Sequence, residues 1–256
     1  MAETGAQSPD NNADKGADTP YTTAARDILP ERVLAIYAHP DDPFISCGGT
    51  LKLWAEQGSN IDMIICTRGE KGSYDPSQST QELAEIRRIE IDRAAKVIQC
   101  NTPILLGYPD GELSDDLELI EALVGHIRQL KPEVVLCPDP TAIVFGEEYI
   151  NHRDHRIVGM AVLDALSPAA ALPLYFPDRG SPHSVRCAYM TGTLEASIRI
   201  DITNTIDAKI AAVKCHQSQL KDYHDIDDLI RTRAQEEGNA VGMRYAEGFR
   251  RINITI

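Results

Sequence analysis

The chain has 256 residues and a formal net charge of −14 at pH 7, with a sequence pI near 4.9. Binding to nucleic acid or to an anionic membrane surface needs a basic protein surface, so this composition argues against both classes of partner. The length suffices for one domain with a sizeable hydrophobic core, and no segment approaches the roughly 20 apolar residues of a membrane span.

The N-terminal segment is polar and poor in large apolar side chains. From Met1 to about Asp27 no basic stretch is followed by an apolar one, so the segment does not resemble a secretory signal. We predict a disordered tail over residues 1–28 and one catalytic domain over residues 29–256. The six cysteines stand singly, without a CxxC pair, which favours reduced thiols in a cytoplasmic protein.

Strands and helices alternate in the first half of the chain. The apolar run 33–38 predicts a strand, and a glycine turn over 47–50 leads into a helix over 49–57 that Gly58 closes. A second strand follows over 61–67, then a polar loop over 68–79. A helix capped by Thr80 follows over 81–99, because its apolar residues recur at helical spacing.

The same alternation continues, less regularly, in the second half. A short strand over 104–107, a helix over 116–130 and a strand over 133–138 complete a βαβαβαβ order. A helix beginning after His155 and reaching about Leu166 comes next, followed by Pro- and Gly-rich loops over 168–184. The remaining predicted elements are strands over 185–190, 198–202 and 251–256 and helices over 206–220 and 225–237.

This order predicts an α/β fold: a Rossmann-like, mostly parallel sheet with helices on both faces, in a single domain. In such sheets ligands bind beyond the carboxyl ends of the strands. Two clusters of histidine and aspartate follow predicted strands: His39-Pro40-Asp41-Asp42 after 33–38, and His152-Arg153-Asp154-His155 after 133–138. We therefore expect both clusters at one edge of the sheet.

Each cluster alone has an ordinary structural explanation. Pro-Asp-Asp is common in turns, and His-x-Asp-His could begin a helix with polar caps. Two such clusters beyond two strands of one sheet are better explained as the halves of one metal site. Among the remaining histidines, His126 lies within an amphipathic helix, and His183 and His224 lack acidic or imidazole neighbours at ligand spacing. No dinucleotide or P-loop motif is present.

The residue types suit hydrolysis assisted by a metal ion. Catalytic zinc sites commonly use three protein ligands and leave one position open, and His39, Asp42 and His155 could supply them. Iron(II) or another divalent ion also accepts such a ligand set. Of the remaining residues, Asp41 suits a general base, His152 an oxyanion stabiliser or proton donor, and Asp154 an orienting partner of a histidine.

These motifs resemble the PIG-L/LmbE-like family of zinc-dependent deacetylases, which remove an acetyl group from N-acetylglucosamine units. The resemblance covers about residues 30–256. Besides the two clusters, the shared segments are Thr67–Gly72, Arg87-x-x-Glu90 with Ala94-Ala95, Gly107–Gly111, Lys209 with His216-x-Ser218-Gln219, and Tyr245–Phe249.

The resemblance implies the same roles: His39, Asp42 and His155 as zinc ligands, Asp41 as base, His152 as transition-state stabiliser and Asp154 as its polar partner. It also implies that the loops carrying Arg68 and Asp110 contact the substrate. The chain departs from many members after the aspartate pair, where Pro43 replaces a glutamate and Phe44 and Ser46 follow. This departure concerns the shape of the segment that supports Asp42.

The sequence thus predicts a zinc-dependent hydrolase that removes an N-acetyl group from a GlcNAc-type sugar or glycoconjugate, by attack of metal-activated water. Two alternatives remain open: an amidase acting on a thiol-sugar conjugate or another linear amide, and a non-catalytic sugar- or metal-binding relative. The expected partner is a small N-acetylated sugar, and a homo-oligomer is possible. The roles of Tyr149 and of the loops over 168–184 are left open.

Overall fold

A computed structural model describes residues 29–220 and 225–255. The tail predicted for residues 1–28 therefore lies outside the described residues. The strands of the main sheet are β1 Arg32–Tyr37, β2 Asn60–Thr67, β3 Ile104–Tyr108, β4 Val134–Pro138, β7 Cys187–Thr191, β8 Ile198–Asp201 and β9 Ala246–Asn253, and a separate hairpin comprises β5 Val144–Phe145 and β6 Tyr149–Ile150. The helices are α1 Asp42–Glu56, α2 Thr80–Ile98, α3 Leu117–Leu130, α4 Arg153–Asp164, α5 Ile206–Val213 and α6 Ile226–Asn239.

The seven strands of the main sheet lie in the order β3-β2-β1-β4-β7-β9-β8. The five strands from β3 to β7 run parallel to their neighbours, whereas β9 is antiparallel to both β7 and β8. The predicted mostly parallel sheet is confirmed. The site-bearing strand β1 lies in the middle of it, between β2 and β4.

Both faces of the sheet are covered by helices, as predicted. Successive side chains of a strand point to opposite faces. Accordingly Val33, Ala35 and Tyr37 enter one core together with residues of α1, α2, α5 and α6. The alternate residues of the same segment, Leu34, Ile36 and Ala38, enter a second core together with residues of α3 and α4. Among the described residues, no helix has both the length and the apolar character that a membrane crossing requires.

Helix α1 differs from the prediction over 49–57, since it begins at Asp42. Its backbone leaves the helical region at Cys47 (φ −140°, ψ 21°), so the predicted glycine turn is a kink within a longer helix. Glu247 of β9 accepts hydrogen bonds from the amides of Gly49 (2.9 Å) and Thr50 (2.7 Å), whose helical bonds the kink interrupts. Lys209 donates to the same carboxylate at 2.6 Å.

Three other predicted boundaries are wrong for identifiable reasons. Strand β9 begins at Ala246 rather than Arg251, because residues 246–249 pair with β8, although a glycine and charged residues interrupt the apolar pattern there. Helix α5 ends at Val213, well before residue 220, and Ser218 beyond it bonds the Glu90 carboxylate at 2.7 Å through both its amide and its hydroxyl. Helix α4 begins at Arg153, because His152 and not a later residue caps it. Strand β4 ends at Pro138, as predicted, and the hairpin β5–β6 separates it from the second cluster.

Candidate metal centre

The turn between β1 and α1 brings His39 and Asp42 together. The amide of His39 donates to Asp42 Oδ2 at 2.8 Å, and the amide of Asp42 donates back to the His39 carbonyl at 3.3 Å. Pro43 then occupies the first turn of α1, where its missing N–H costs no helical hydrogen bond. The sequence departure at Pro43 and Phe44 therefore starts the helix immediately at Asp42, and the buried Phe44 ring anchors it in the core.

His155 reaches the same place from the first turn of α4. Its Nδ1 lies 3.0 Å from Asn151 Oδ1, and Asn151 is itself fixed by donating from Nδ2 to the Ala142 carbonyl at 2.7 Å. With Nδ1 bonded to an acceptor, Nδ1 carries the proton and Nε2 keeps its lone pair. The hairpin β5–β6 thus acts through Asn151 to aim His155 Nε2 at the first cluster.

The ligand atoms of three residues converge within one small space. His39 Nδ1 lies 3.1 Å from His155 Nε2, His155 Nε2 lies 3.1 Å from Asp42 Oδ1, and His39 Nδ1 lies 3.3 Å from Asp42 Oδ2. Ligands placed about 2.0–2.1 Å from a tetrahedral ion are separated by about 3.3 Å, so the spacing fits a shared ion. The structure therefore brings together the three predicted ligands, and their donor set fits a divalent cation.

Two carboxylates hold the opposite edge of the His39 ring. Nε2 lies 3.1 Å from Asp110 Oδ1 and 3.7 Å from Asp154 Oδ2. Such partners place the proton on Nε2 and leave the Nδ1 lone pair for a metal. Asp154 is completely buried and also accepts from the amide of Gly111 at 2.7 Å, so its position is fixed. Asp154 was predicted to orient a histidine, and the histidine that it contacts is His39.

The electrostatics of this cluster favour a cation. Burial disfavours a charged His39 imidazole, but the carboxylates of Asp42, Asp110 and Asp154 outweigh it and raise the His39 pKa well above its ordinary value. Burial likewise opposes a charged Asp42, yet His155 and His39 hold its pKa well below the usual range. The three carboxylates thus surround the His39 imidazole, and they stabilise a positive charge at this position.

Asp41 precedes the ligand Asp42 in the chain and is paired with a buried arginine. Arg87 of α2 donates from Nη2 to Asp41 Oδ1 at 2.6 Å and from Nη1 to the Gly69 carbonyl at 2.8 Å. Asp41 Oδ2 accepts no hydrogen bond from any residue that the structure describes. A fixed guanidinium therefore orients a carboxylate that has one oxygen available, which suits the predicted base.

His152 lies on the exposed side of the cluster. It caps α4, with Nδ1 accepting from the Asp154 amide at 3.1 Å, and its ring centre is 4.8 Å from that of His39. Partial burial and the neighbouring His39 charge lower its pKa. In the neutral ring the proton then sits on Nε2, which makes this edge a hydrogen-bond donor.

Comparison with known proteins agrees with this geometry. The family model described as "PIG-L: GlcNAc-PI de-N-acetylase" matches residues 34–166. The diacetylchitobiose deacetylase of Thermococcus kodakarensis is 33% identical over 230 residues, which cover 86% of this chain and 82% of the relative. The chain belongs to the PIG-L family.

Further relatives place the PIG-L match across almost all of the chain. The N,N'-diacetylchitobiose deacetylase from Pyrococcus horikoshii has a similar structure, with a TM-score of 0.81 and 30% identity, covering 88% of this chain and 84% of the other. A 1D-myo-inositol 2-acetamido-2-deoxy-alpha-D-glucopyranoside deacetylase from Mycobacterium sp. (strain KMS) is 25% identical and covers 80% of this chain and 78% of its own. The family resemblance inferred from the motifs is confirmed.

The two residues assigned to substrate loops by the PIG-L resemblance differ in position. Arg68 is half-exposed and pairs with Glu70 at 3.1 Å. Asp110 is buried, with Oδ1 on His39 and Oδ2 accepting from the Lys71 amide at 3.1 Å. The hydrogen bond to His39 outweighs burial and lowers the Asp110 pKa to about 2. The structure uses Asp110 to orient a ligand, and the substrate contacts of both residues stay predictions.

Arg87 and His216 belong to the PIG-L-like motifs of the sequence, but no role was predicted for either residue. A signal for Arg87 was available, because it shares the apolar stripe of α2 with Leu83, Ile91 and Ala94. His216 is fully buried with its ring centre 5.3 Å from that of Phe44, and its ring nitrogens have no hydrogen-bond partner among the described residues. Burial lowers its pKa to about 4, so this imidazole is neutral.

Proposed function

We propose that this chain is a zinc-dependent hydrolase that removes the N-acetyl group from a GlcNAc-type sugar. The observation that carries the proposal is the convergence of His39, Asp42 and His155 within 3.1–3.3 Å of one another. Asp41 and His152 flank that point with opposite capacities, one accepting and one donating a hydrogen bond. Membership of the PIG-L family, whose named relatives are deacetylases of acetamido sugars, supports the choice of reaction.

Amide hydrolysis needs a nucleophilic water, a stabilised oxyanion and a protonated amine. A divalent ion held by the three ligands supplies Lewis-acid chemistry, in that it acidifies water and polarises a carbonyl. Asp41 Oδ2 takes the proton from the attacking water, and Arg87 keeps that carboxylate oriented by holding Oδ1. The same carboxyl group then delivers the proton to the departing nitrogen as the C–N bond breaks.

His152 acts on the other side of the scissile carbonyl. Its Nδ1 is occupied by the Asp154 amide, which directs the Nε2 edge outward from the helix terminus. A hydrogen bond from Nε2–H to the developing oxyanion lowers the barrier, because it strengthens as negative charge accumulates on the oxygen. The residues therefore provide a base and an oxyanion donor in addition to the ligand set. A protein that only binds sugar or metal has no need of both.

Acetate release from a panel of substrates, combined with metal analysis, tests the proposal. The panel contains N-acetylglucosamine, its disaccharide, an N-acetylglucosamine–inositol conjugate and N-acylated thiol-sugar conjugates. We expect release from the acetamido sugars by zinc-loaded protein and none after chelation. Release only from thiol-sugar conjugates would favour the amidase alternative, and sugar binding without any release would favour the non-catalytic one.

An isosteric variant tests the assigned base. Asp41→Asn keeps the shape and can still contact Arg87, but it cannot take a proton, so we expect kcat to fall by about 10²–10⁴-fold. Asp178→Asn, on an exposed turn, is the matched control and should leave kcat unchanged. Full turnover by metal-replete Asp41→Asn protein would contradict the proposed mechanism. A cytoplasmic location and a homo-oligomer stay predictions of the sequence.

A further inference from the structure

His216 is a buried polar residue that the proposed reaction leaves without a role. It is fully buried, and neither of its ring nitrogens has a hydrogen-bond partner among the described residues. Buried polar groups almost always have a partner, which is either a protein group or an ordered water molecule. A phenylalanine would pack against Phe44, whose ring centre is 5.3 Å away, without burying polar atoms. The residue type therefore indicates a use for the imidazole nitrogens.

The turn after α5, which contains His216, is attached both to α2 and to the loop that follows β2. Ser218 bonds the Glu90 carboxylate of α2 at 2.7 Å through its amide and its hydroxyl. Gln219 donates from Nε2 to the Gly72 carbonyl of the loop at 3.1 Å. Helix α2 also carries the arginine that orients the proposed base. These bonds therefore fix the position of His216 relative to that arginine.

The loop after β2 packs directly against the guanidinium group of Arg87. A Cβ atom on Gly69 would lie 2.5 Å from Arg87 Nη1, and a Cβ atom on Gly72 would lie 3.0 Å from the same nitrogen. The two Nη atoms have acceptors, namely the Gly69 carbonyl and Asp41 Oδ1. Arg87 Nε, in contrast, is buried and has no partner among the described residues. One donor of this guanidinium is therefore still unpaired.

The unpaired atoms of Arg87 and His216 have complementary chemistry. Burial, with a smaller contribution from the Arg87 charge, lowers the His216 pKa to about 4, so the ring is neutral and one of its nitrogens is an acceptor. The charge of Asp41 also acts on His216, which indicates that the ring lies near the Asp41–Arg87 pair. A water molecule can accept a hydrogen bond from Nε–H and donate one to the ring nitrogen, and buried waters typically join such atoms.

We infer that a buried water molecule joins Arg87 Nε to a ring nitrogen of His216, and that His216 is thereby a positioning residue for Asp41. The inference rests on the proposed function, in which Asp41 is the base. A third hydrogen bond fixes the plane of the guanidinium, and with it the direction of the carboxylate that Arg87 holds at 2.6 Å. Because His216 acts through Arg87, its loss should lower turnover and leave substrate binding unchanged.

Substitutions that keep or remove the nitrogens of residue 216 test the inference. His216→Phe keeps an aromatic ring beside Phe44 but removes both nitrogens. We expect kcat for acetate release to fall about tenfold and KM to stay within about twofold, because a small misplacement of a reacting group costs rate. His216→Asn and His216→Gln carry amides that reach the positions of Nδ1 and Nε2, so one of them should recover part of the rate. His126→Phe is the matched control, since this partly buried histidine lies on α3, on the opposite face of the sheet, and it should change neither constant.

A double variant tests whether His216 acts through Arg87. In Arg87→Met protein the water loses its donor, so the addition of His216→Phe should lower kcat further by no more than about twofold. All rates are corrected for the folded fraction. An independent tenfold loss in the Arg87→Met background would overturn the inference. An unchanged kcat in His216→Phe, or the failure of both amide variants to recover any rate, would overturn it as well.

A high-resolution crystal structure of the wild type separates failure of this inference from failure of the proposed function, because it needs neither turnover nor a variant that folds. We expect an ordered water molecule at about 2.7–3.2 Å from both Arg87 Nε and one ring nitrogen of His216. A direct contact between the two side chains, or the lack of a shared water, would refute the inference even if acetate is released. Absence of acetate release from every substrate would instead refute the proposed function and, with it, the catalytic consequence inferred for His216.

Discussion

Two buried arginines on different helices show how the same side chain serves different ends. Arg87 of α2 is 3% exposed and binds one carboxylate, that of Asp41, together with one carbonyl. Arg128 of α3 is 2% exposed and donates to carbonyl groups, which belong to Ala169, Ala170, Leu172, Tyr175, Phe176 and Gly180. The first arginine orients a reacting group, and the second fixes the path of a loop.

The hydrogen bonds of Arg128 give the loops over 168–184 a structural role. A guanidinium presents five N–H donors in a rigid plane, so one side chain can satisfy many carbonyls of a segment that has little regular structure. Arg128 does this for the segment 169–180, which follows α4. That segment is held from within the protein, and its Pro and Gly content reflects the turns that wrap one guanidinium.

The largest effect on stability should come from Arg128. Arg128→Met removes the shared donor and leaves several buried carbonyls unsatisfied, so we expect a loss of about 4 kcal/mol in the free energy of unfolding. Chemical denaturation measures the loss. The kcat per folded molecule should stay close to that of the wild type, and a selective loss of kcat would contradict the division of roles between the two arginines.

Substitution of Arg87 should instead lower kcat. Arg87→Met frees the Asp41 carboxylate to rotate and removes the cation beside it, so we expect kcat to fall on the order of 10²-fold, which is about 2.7 kcal/mol. Arg87→Lys keeps the charge and should recover part of the rate, whereas a purely structural role would give no such rescue. Steady-state kinetics, corrected for the folded fraction, distinguish the two cases.

His216 is a third buried basic residue, and its ring nitrogens have no hydrogen-bond partner in the part of the chain that the structure describes. Its pKa of about 4 means that the unfolded chain takes up a proton below about pH 6.5, whereas the native protein does not, so His216 lowers stability as the pH falls through this window. Between pH 6.5 and 5 this loss amounts to about 1.5 kcal/mol. In His216→Phe that loss should be absent.

Denaturant titrations at the two pH values, performed on His216→Phe and wild type in parallel, measure the difference. The parallel design matters because the pKa values of His39 and His152 are also shifted, and these two histidines contribute equally to both proteins. Asp41, Asp42 and Arg87 are the charged groups whose fields reach His216. An identical pH dependence in the two proteins would show that His216 is protonated or solvated in the native state.

Substitution of an exposed arginine should have the smallest effect on the free energy of unfolding. Arg179 pairs with Glu121 at 2.8 Å, but its side chain is 50% exposed, so solvent screens the pair. We expect Arg179→Gln to change the free energy of unfolding by less than about 0.5 kcal/mol, although it lies in the same segment that Arg128 holds. A large loss would mean that burial does not explain the difference between these arginines.

Most of the sheet was predictable, because burial on both faces leaves continuous apolar runs such as 33–38 that read as strands without other information. The ligand triad was predictable from residue types and position. The sequence does not show which side chains pair with each other when they are far apart along the chain. Arg87 and Asp41 lie 2.6 Å apart but on different elements, and no local pattern links a charge on an apolar helix stripe to its partner.

The errors in the boundaries share that cause. Local signals placed the start of the first helix at Gly49, since nothing near Gly49 shows that a carboxylate from β9 takes over the hydrogen bonds at the kink. Likewise the next helix was predicted to begin after His155, whereas His152 caps α4 and the Asn151 side chain determines how His155 points. Tertiary contacts decided these points, and they override local propensity.

The bond from Glu247 to the kink of α1 has a consequence for biosynthesis. The helix that bears Asp42 is completed by a residue near the other end of the chain, so a ribosome must add Glu247 before this helix can reach its final form. The nascent polypeptide can thus carry all three proposed metal ligands for the time needed to translate some ninety further residues while the scaffold beneath them is unfinished. Metal loading should accordingly follow the synthesis of Glu247.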